Sequence, residues 1–338
     1  MPITLSAWGC VRVDAAAPDW KRGLLMTPAI EAEGLTKRYG DVAALTDVTL
    51  RVPAGSVFGF LGPNGAGKTT ALKILAGLSR ATSGSATVGG VPVTVQGAHR
   101  ARVGYLAQEP RFYGWMSGRQ TLAYVASFFP QGTRRRGIDD LLELVGLADA
   151  ADRATKTYSG GMRQRLGIAQ ALAGDPAVVL LDEPAAALDP LGRRDVLDLM
   201  QKLRGETTVF YSTHILDDVQ RVSDHVAILD HGRLVVSAPT ATLMGEFKAS
   251  TIRVALLGAG EATESGISVL PDVADVAAIG RDGDEWRYDV TPSNGIADAQ
   301  AAVMRFAADA GLTVVVNRQE SLNLEEVFLH IVNKERAT

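Results

Sequence analysis

Residues 62–70 read Gly-Pro-Asn-Gly-Ala-Gly-Lys-Thr-Thr. Those residue types, so closely spaced, suit a polyphosphate. Without a Cβ, Gly62, Gly65 and Gly67 let the backbone turn tightly and bring N–H groups against phosphate oxygens. Lys68 is placed to reach the β- and γ-phosphates, and the Thr69 hydroxyl to ligate Mg²⁺. Pro63, Asn64, Ala66 and Thr70 complete the candidate loop. A plain glycine-rich turn is the competing account. A second group is Asp182-Glu183. Asp182 can hold Mg²⁺ through water, and Glu183, one position on, can polarise an attacking water. Acid–base assistance of this kind is worth about 10²–10⁴-fold. Alone, the pair could simply be two acids capping a strand. A third group is Tyr158-Ser159-Gly160-Gly161-Met162. Ser159 is a good helix N-cap, and the open glycines either make only a capped helix or expose N–H groups to a γ-phosphate.

The elements around these groups are those such chemistry needs. Val57-Phe58-Gly59-Phe60-Leu61 predicts a strand before the loop, and Ala71 to Leu78 a helix after it. Strand, glycine-rich turn and helix are the required context, with the helix aiming its positive end at the anion. Val178 to Leu181 is an unbroken apolar run, the mark of a central parallel strand buried on both faces. Ligands collect at the carboxyl ends of such strands. Further strands are predicted at Glu31 to Leu35, Val48 to Val52, Val103 to Ala107 and Val209 to Ser212, with a hairpin over 85–95 turning at Gly89-Gly90. Residues 117–157 are helical in pattern, and a helix is predicted from Met162 to Leu172. Alternating strands and helices give an α/β core. A single chain gains little from two phosphate-binding helix ends so far apart; two copies packed head to tail would bring them to opposite sides of one nucleotide.

Composition narrows the class. A chain of 338 residues has room for about two domains, and 46% hydrophobic with 21% charged residues suits a full core. A net charge of -4 argues against a nucleic-acid partner. Arg134-Arg135-Arg136 reads as a solvated loop. The single cysteine, Cys10, excludes an internal disulfide framework and fits a reducing compartment. No stretch approaches the 18 apolar residues of a transmembrane helix, and residues 1–25 lack the apolar core of a secretory signal. Residues 1–28 differ in character from the rest of the chain, so Met26 is the expected true start and the preceding residues an upstream extension or a disordered tail.

Taken together, these groups resemble the ATP-binding cassette family, over about residues 29–246. Gly62 to Thr69 is similar to its Walker A motif, Val178 to Glu183 to Walker B, and Tyr158 to Met162 to its signature motif. Gln108 falls at the Q-loop glutamine, Ala187-Leu188-Asp189 at the D-loop, and Ser212-Thr213-His214 at the switch histidine loop. The resemblance implies a P-loop cassette with a mixed sheet and a helical subdomain over about 109–172, and ATP and Mg²⁺ as cofactors. It implies that Tyr39 stacks on adenine, that Thr69, Gln108 and Asp182 serve the metal, that Glu183 is the general base and that His214 contacts the γ-phosphate. Ser159, Gly160 and Gly161 would act in trans on a second copy, with Asp189 at the dimer seam. Met162, Ala187 and Ala185 depart from the commoner Gln, Gly and Thr, and none removes a group the chemistry needs.

Beyond Glu246 the pattern predicts β-α-β-β-α-β, a small α+β ferredoxin-like unit over 247–338, closed by a helix from Leu324 to Val332 with a capping box at Asn323 and Glu326. That ending, and Arg111 to Gly118 after Gln108, resemble the daunorubicin-resistance group of single-cassette exporters. The resemblance implies a homodimeric or paired ATPase on the cytoplasmic face of the plasma membrane. It would power export of a small molecule or lipid through a separate permease that meets the region after Gln108. A translation or DNA-repair ATPase is the alternative. One cassette without sustained heptads favours transport, and Glu183 with His214 disfavours a regulator that does not hydrolyse.

Overall fold

The computed structural model describes residues 28–94, 97–129, 136–186, 188–246, 251–293 and 295–319. The N-terminal extension with Met26, Arg134 and Arg135, Ala187, and the closing helix with its capping box lie outside the described residues. The described chain forms two compact units, one running to Ala241 and the other starting at Thr242.

In the first unit β1 (Ile30–Tyr39) and β2 (Val42–Val52) pair antiparallel. β3 (Val57–Leu61) leads through residues 62–67 into α1 (Lys68–Leu75). β4 (Ser83–Val88) and β5 (Val91–Pro92) form the expected hairpin, with Gly89 and Gly90 at φ 55° and 76°. Positive φ at both central residues is what a tight hairpin turn demands. β6 (Val103–Leu106), α2 (Gly118–Ala126), α3 (Ile138–Leu144), α4 (Gly160–Leu172) and β7 (Val178–Asp182) come next. Then come α5 (Pro190–Lys202), β8 (Thr208–Thr213), α6 (Leu216–Val222), β9 (His225–Asp230), β10 (Arg233–Pro239) and α7 (Thr240–Glu246), the last spanning the boundary between the units.

One sheet runs β2-β1-β4-β5; the other runs β10-β9-β3-β8-β7-β6. In the second sheet β9, β3, β8, β7 and β6 are parallel, with β10 antiparallel at the edge. β3, β7 and β8 are buried along their whole length, which is why they read as unbroken apolar runs. Phe58 stacks on Phe210 at 5.5 Å and Phe60 packs tilted against it at 5.2 Å, and the same core takes in Leu35 and Leu45 of the first sheet with Leu72 and Leu75 of α1. The loop is thus carried on a fully buried strand inside the parallel sheet.

The stretch 117–157 is not continuously helical. α2 begins at a Ser117–Gln120 capping box, α3 begins where Asp140 accepts from the Gly137 amide at 2.8 Å, and short 3-10 turns lie at Ala148–Ala150 and Thr155–Thr157. Gly146, at φ 64°, stops α3 because the backbone there is left-handed.

The second unit contains β11 (Ile252–Leu257), α8 (Glu261–Ser268), β12 (Val273–Asp282), β13 (Glu285–Pro292), α9 (Ile296–Asp309) and β14 (Thr313–Gln319). Its antiparallel sheet runs β12-β13-β11-β14. Alternate residues Ile252, Val254 and Leu256 meet Ala299 and Val303 of α9 and Ile267 of α8 in one apolar core. Period two on the strand and three to four on the helix put these side chains on facing surfaces.

Candidate functional site: a phosphate loop facing paired acids

β3 delivers Gly62 from the middle of the parallel sheet, and the Gly62 amide donates to the Thr213 carbonyl at the end of β8 at 3.2 Å. A Cβ on Gly62 would lie 2.3 Å from the Leu229 carbonyl oxygen, and one on Gly67 (φ 107°) 2.3 Å from that of Ala44. The loop is clasped between β2 and the β9–β10 turn, whose Gly232 amide donates to the Ala66 carbonyl at 2.9 Å. No side chain caps α1, so the loop amides at its start stay open to an anion. This is a glycine cradle of the kind a polyphosphate requires.

Lys68 is 5% exposed and donates to the carbonyls of Gly62 and Pro63 at 2.7 and 3.0 Å. Its ammonium also stands 3.4 Å from Glu183 Oε1. Burial pulls the Lys68 pKa below the ordinary lysine value, against the pull of the Glu183 and Asp182 charges.

Asp182 is buried at the end of β7. Its Oδ1 accepts from Thr69 Oγ1 at 3.0 Å and from Ser212 Oγ at 2.8 Å. A hydroxyl beside a carboxylate is a hard-oxygen donor set that suits Mg²⁺. Burial and the nearby Asp182 charge push the Tyr105 phenol up to about 12. Glu183 leaves the strand with φ 46°, left-handed and uncommon for a residue with a side chain. Its amide donates to Ser212 Oγ at 2.9 Å. Its Oε2 lies 3.4 Å from both Gln108 Nε2 and His214 Nδ1. Lys68, Gln108 and His214 therefore converge on one largely buried carboxylate.

The remaining candidates stand apart from this cluster. Tyr39, at the end of β1, is 51% exposed, with the Lys37 ammonium 4.7 Å over its ring. Ser159 accepts from the Met162 amide at 3.2 Å as the N-cap of α4, and Gly160 faces open space. Asp189 accepts from the Gly192 amide at 3.0 Å as the N-cap of α5. Both side chains serve the starts of their own helices. α4 itself packs on β6, β7, α2, α3 and α5. Ser212 was named in the sequence only as the end of a strand and the first residue of the switch histidine stretch, with no role toward the acids. The register that sets it opposite Asp182 is tertiary and left no further signal in the sequence.

After Gln108 the chain exposes an aromatic ladder. Tyr113 and Trp115 are 61% and 74% exposed, with ring centroids 5.9 Å apart. Tyr124 on α2 continues it edge-on, 6.4 Å from Tyr113 and 5.1 Å from Phe128.

The ABC transporter family model matches residues 45–186. The daunorubicin resistance ATP-binding protein DrrA3 of Streptomyces coeruleorubidus is 36% identical over 312 residues, covering 91% of this chain and 97% of its own length. Among solved structures, cbiO1 of Clostridium perfringens, part of the ABC transporter complex cbiONQ, superposes with a TM-score of 0.58 at 26% identity over 65% of this chain and 91% of its own. The ATP-binding cassette MJ0796, in a dimeric post-hydrolysis state bound to ADP and Pi, gives a TM-score of 0.56 over 62% of this chain and 98% of its own; at 24% identity it shows the fold alone. The glycine cradle and the sheet that carries it agree with these likenesses, and the chain belongs to the ATP-binding cassette family as an ABC transporter ATP-binding protein, of a kind that binds and hydrolyses ATP.

Proposed function

We propose that two copies of this cassette close on ATP and Mg²⁺, and that hydrolysis powers export of a small molecule or lipid through a separate permease. The convergence of Lys68, Gln108 and His214 on Glu183 carries this reading, because it sets a general base beside a phosphate cradle. The amides of residues 62–70 and the Lys68 ammonium hold the phosphate chain, and Tyr39 stacks on the base. Thr69 and Asp182, with Gln108, hold the Mg²⁺, which when bound neutralises charge on the phosphates. Glu183 takes the proton of the attacking water, and His214 keeps Glu183 and the γ-phosphate in line. Ser159, Gly160 and Gly161 close the partner copy's site, with Asp189 along the seam.

The name of DrrA3, a resistance protein, supports export. The aromatic ladder of Tyr113, Trp115 and Tyr124 is the surface we assign to the permease. Among the described residues no helix is long and apolar enough to cross a membrane, so the membrane path is assigned to another chain, with this one peripheral on the cytoplasmic face. We assign residues 29–246 to the cassette, with its helical subdomain over about 109–172, and residues 247–338 to an accessory dimerisation or regulatory domain.

The test is whether the neighbouring reading frame encodes a protein of about six transmembrane helices that co-purifies with this chain and supports ATP-dependent drug or lipid uptake into inside-out vesicles. A neighbour that neither binds the chain nor changes its ATPase rate would overturn the transport reading.

A further inference from the structure

Arg193 and Asp218 form an ion pair that the nucleotide chemistry does not use. Arg193 Nε donates to Asp218 Oδ1 at 2.7 Å, and the Asp218 side chain is 3% exposed. Arg193 lies four residues after Asp189, and its amide closes the first turn of α5 on the Asp189 carbonyl at 2.9 Å. Asp218 lies four residues after His214, in the first turn of α6. The pair therefore joins the two helix starts that carry the proposed seam residue and the switch histidine. Asp218 also lines a small cavity with Glu183, Pro184, Ser212 and Thr213, so it sits directly behind the base. Burial raises the Asp218 pKa and the Arg193 cation opposes that rise, which fits a charge kept at depth for its partner.

A second set of contacts joins the same helices farther from the loops. Arg221 donates to Asp198 at 2.8 Å, Gln201 to the Arg221 carbonyl at 3.0 Å and Arg204 to the Val222 carbonyl at 2.9 Å. α5 and α6 are therefore held together without Arg193 and Asp218. What only that buried pair adds is a stiff link between the first turns, where a displacement of one loop would reach the other.

We propose that Arg193 and Asp218 are positioning residues that couple the Asp189 turn to the His214 turn, so that closure at the seam sets the switch histidine against Glu183. The inference rests on the proposed dimer. Breaking the pair leaves the cradle intact but lets His214 drift.

The experiment is steady-state ATPase kinetics on the full chain carrying Arg193→Ala, Asp218→Asn or the charge-swapped pair Arg193→Asp with Asp218→Arg. In the single variants kcat should fall about ten-fold, with KM and nucleotide affinity within about two-fold of wild type and a lower Hill coefficient. The swapped pair should recover most of the rate. Asp198→Ala, which removes the outer ion pair with Arg221, should leave kcat unchanged. A kcat at the wild-type value in both single variants, or an equal loss in Asp198→Ala, overturns the proposal. Where the single variants fail to fold, Arg193→Lys, which keeps the charge and loses the Nε hydrogen bond, should show the same fall in kcat. Failure of the dimer reading looks different: the wild type itself would show no cooperativity and would not pair when hydrolysis is blocked.

Discussion

Ser212 shows how much one hydroxyl can fix. Its oxygen donates to Asp182 and accepts from the Glu183 amide, so the two acids are held in register by a residue on the neighbouring strand. Ser212→Ala leaves a buried amide and a buried carboxylate each without that partner. An orphaned buried group costs about 1–3 kcal/mol. The variant should lose about that much stability in urea denaturation, and its kcat should fall about ten-fold as Glu183 leaves its left-handed turn. A kcat equal to the wild type would show that Ser212 does not set the acids. Glu183 itself was legible as the residue after an apolar strand. Lys68, Gln108 and His214 were named for the same site, but their convergence on Glu183 was not legible, because they belong to separate stretches of the chain.

At the scale of elements, the phosphate loop is defined as much by its neighbours as by its own sequence. Gly62 was expected to be free of a Cβ for the sake of the ligand. The structure adds a second reason: a Cβ there would collide with the Leu229 carbonyl on β9. Backbone cannot yield as a flexible side chain does. Gly62→Ala should therefore displace the loop or the β9–β10 turn, lower the melting temperature by several degrees and weaken nucleotide binding at least ten-fold in fluorescence titration. Binding at the wild-type level would show that the clasp gives way. The start of α4 was marked in the sequence, since Ser159 is an N-cap that acts through a local hydrogen bond; Ser117 and Asp189 cap α2 and α5 in the same way but were not read as caps. The interruption of 117–157 was less well marked, because an apolar period can continue across the glycine that ends a helix.

At the scale of the molecule, the site is half of a reaction centre in the proposed dimer. Glu183→Gln removes the proposed base and keeps the side-chain volume, so ATP should still bind while turnover stops. Gel filtration with ATP and Mg²⁺ should then show a dimer that the wild type forms only transiently. Monomer at saturating ATP would count against the seam. Trp115→Asp should leave the ATPase rate of the isolated chain unchanged and abolish co-purification with the proposed permease, because it places a charge in the exposed aromatic ladder. Permease binding as strong as in the wild type would place the docking surface elsewhere.

The sequence by itself determined what depends on neighbours along the chain: the glycine loop between strand and helix, the apolar strand ending in Asp182-Glu183, the N-caps and the Gly89-Gly90 hairpin. Each is written within a few residues, where periodicity, positive φ and capping act. Tertiary structure decided the rest. It set Ser212 opposite Asp182, brought Lys68, Gln108 and His214 to within 3.4 Å of Glu183, and joined Arg193 to Asp218. Those contacts depend on strand order and register, which arise from burying several separate apolar faces at once, and no local pattern encodes that sum.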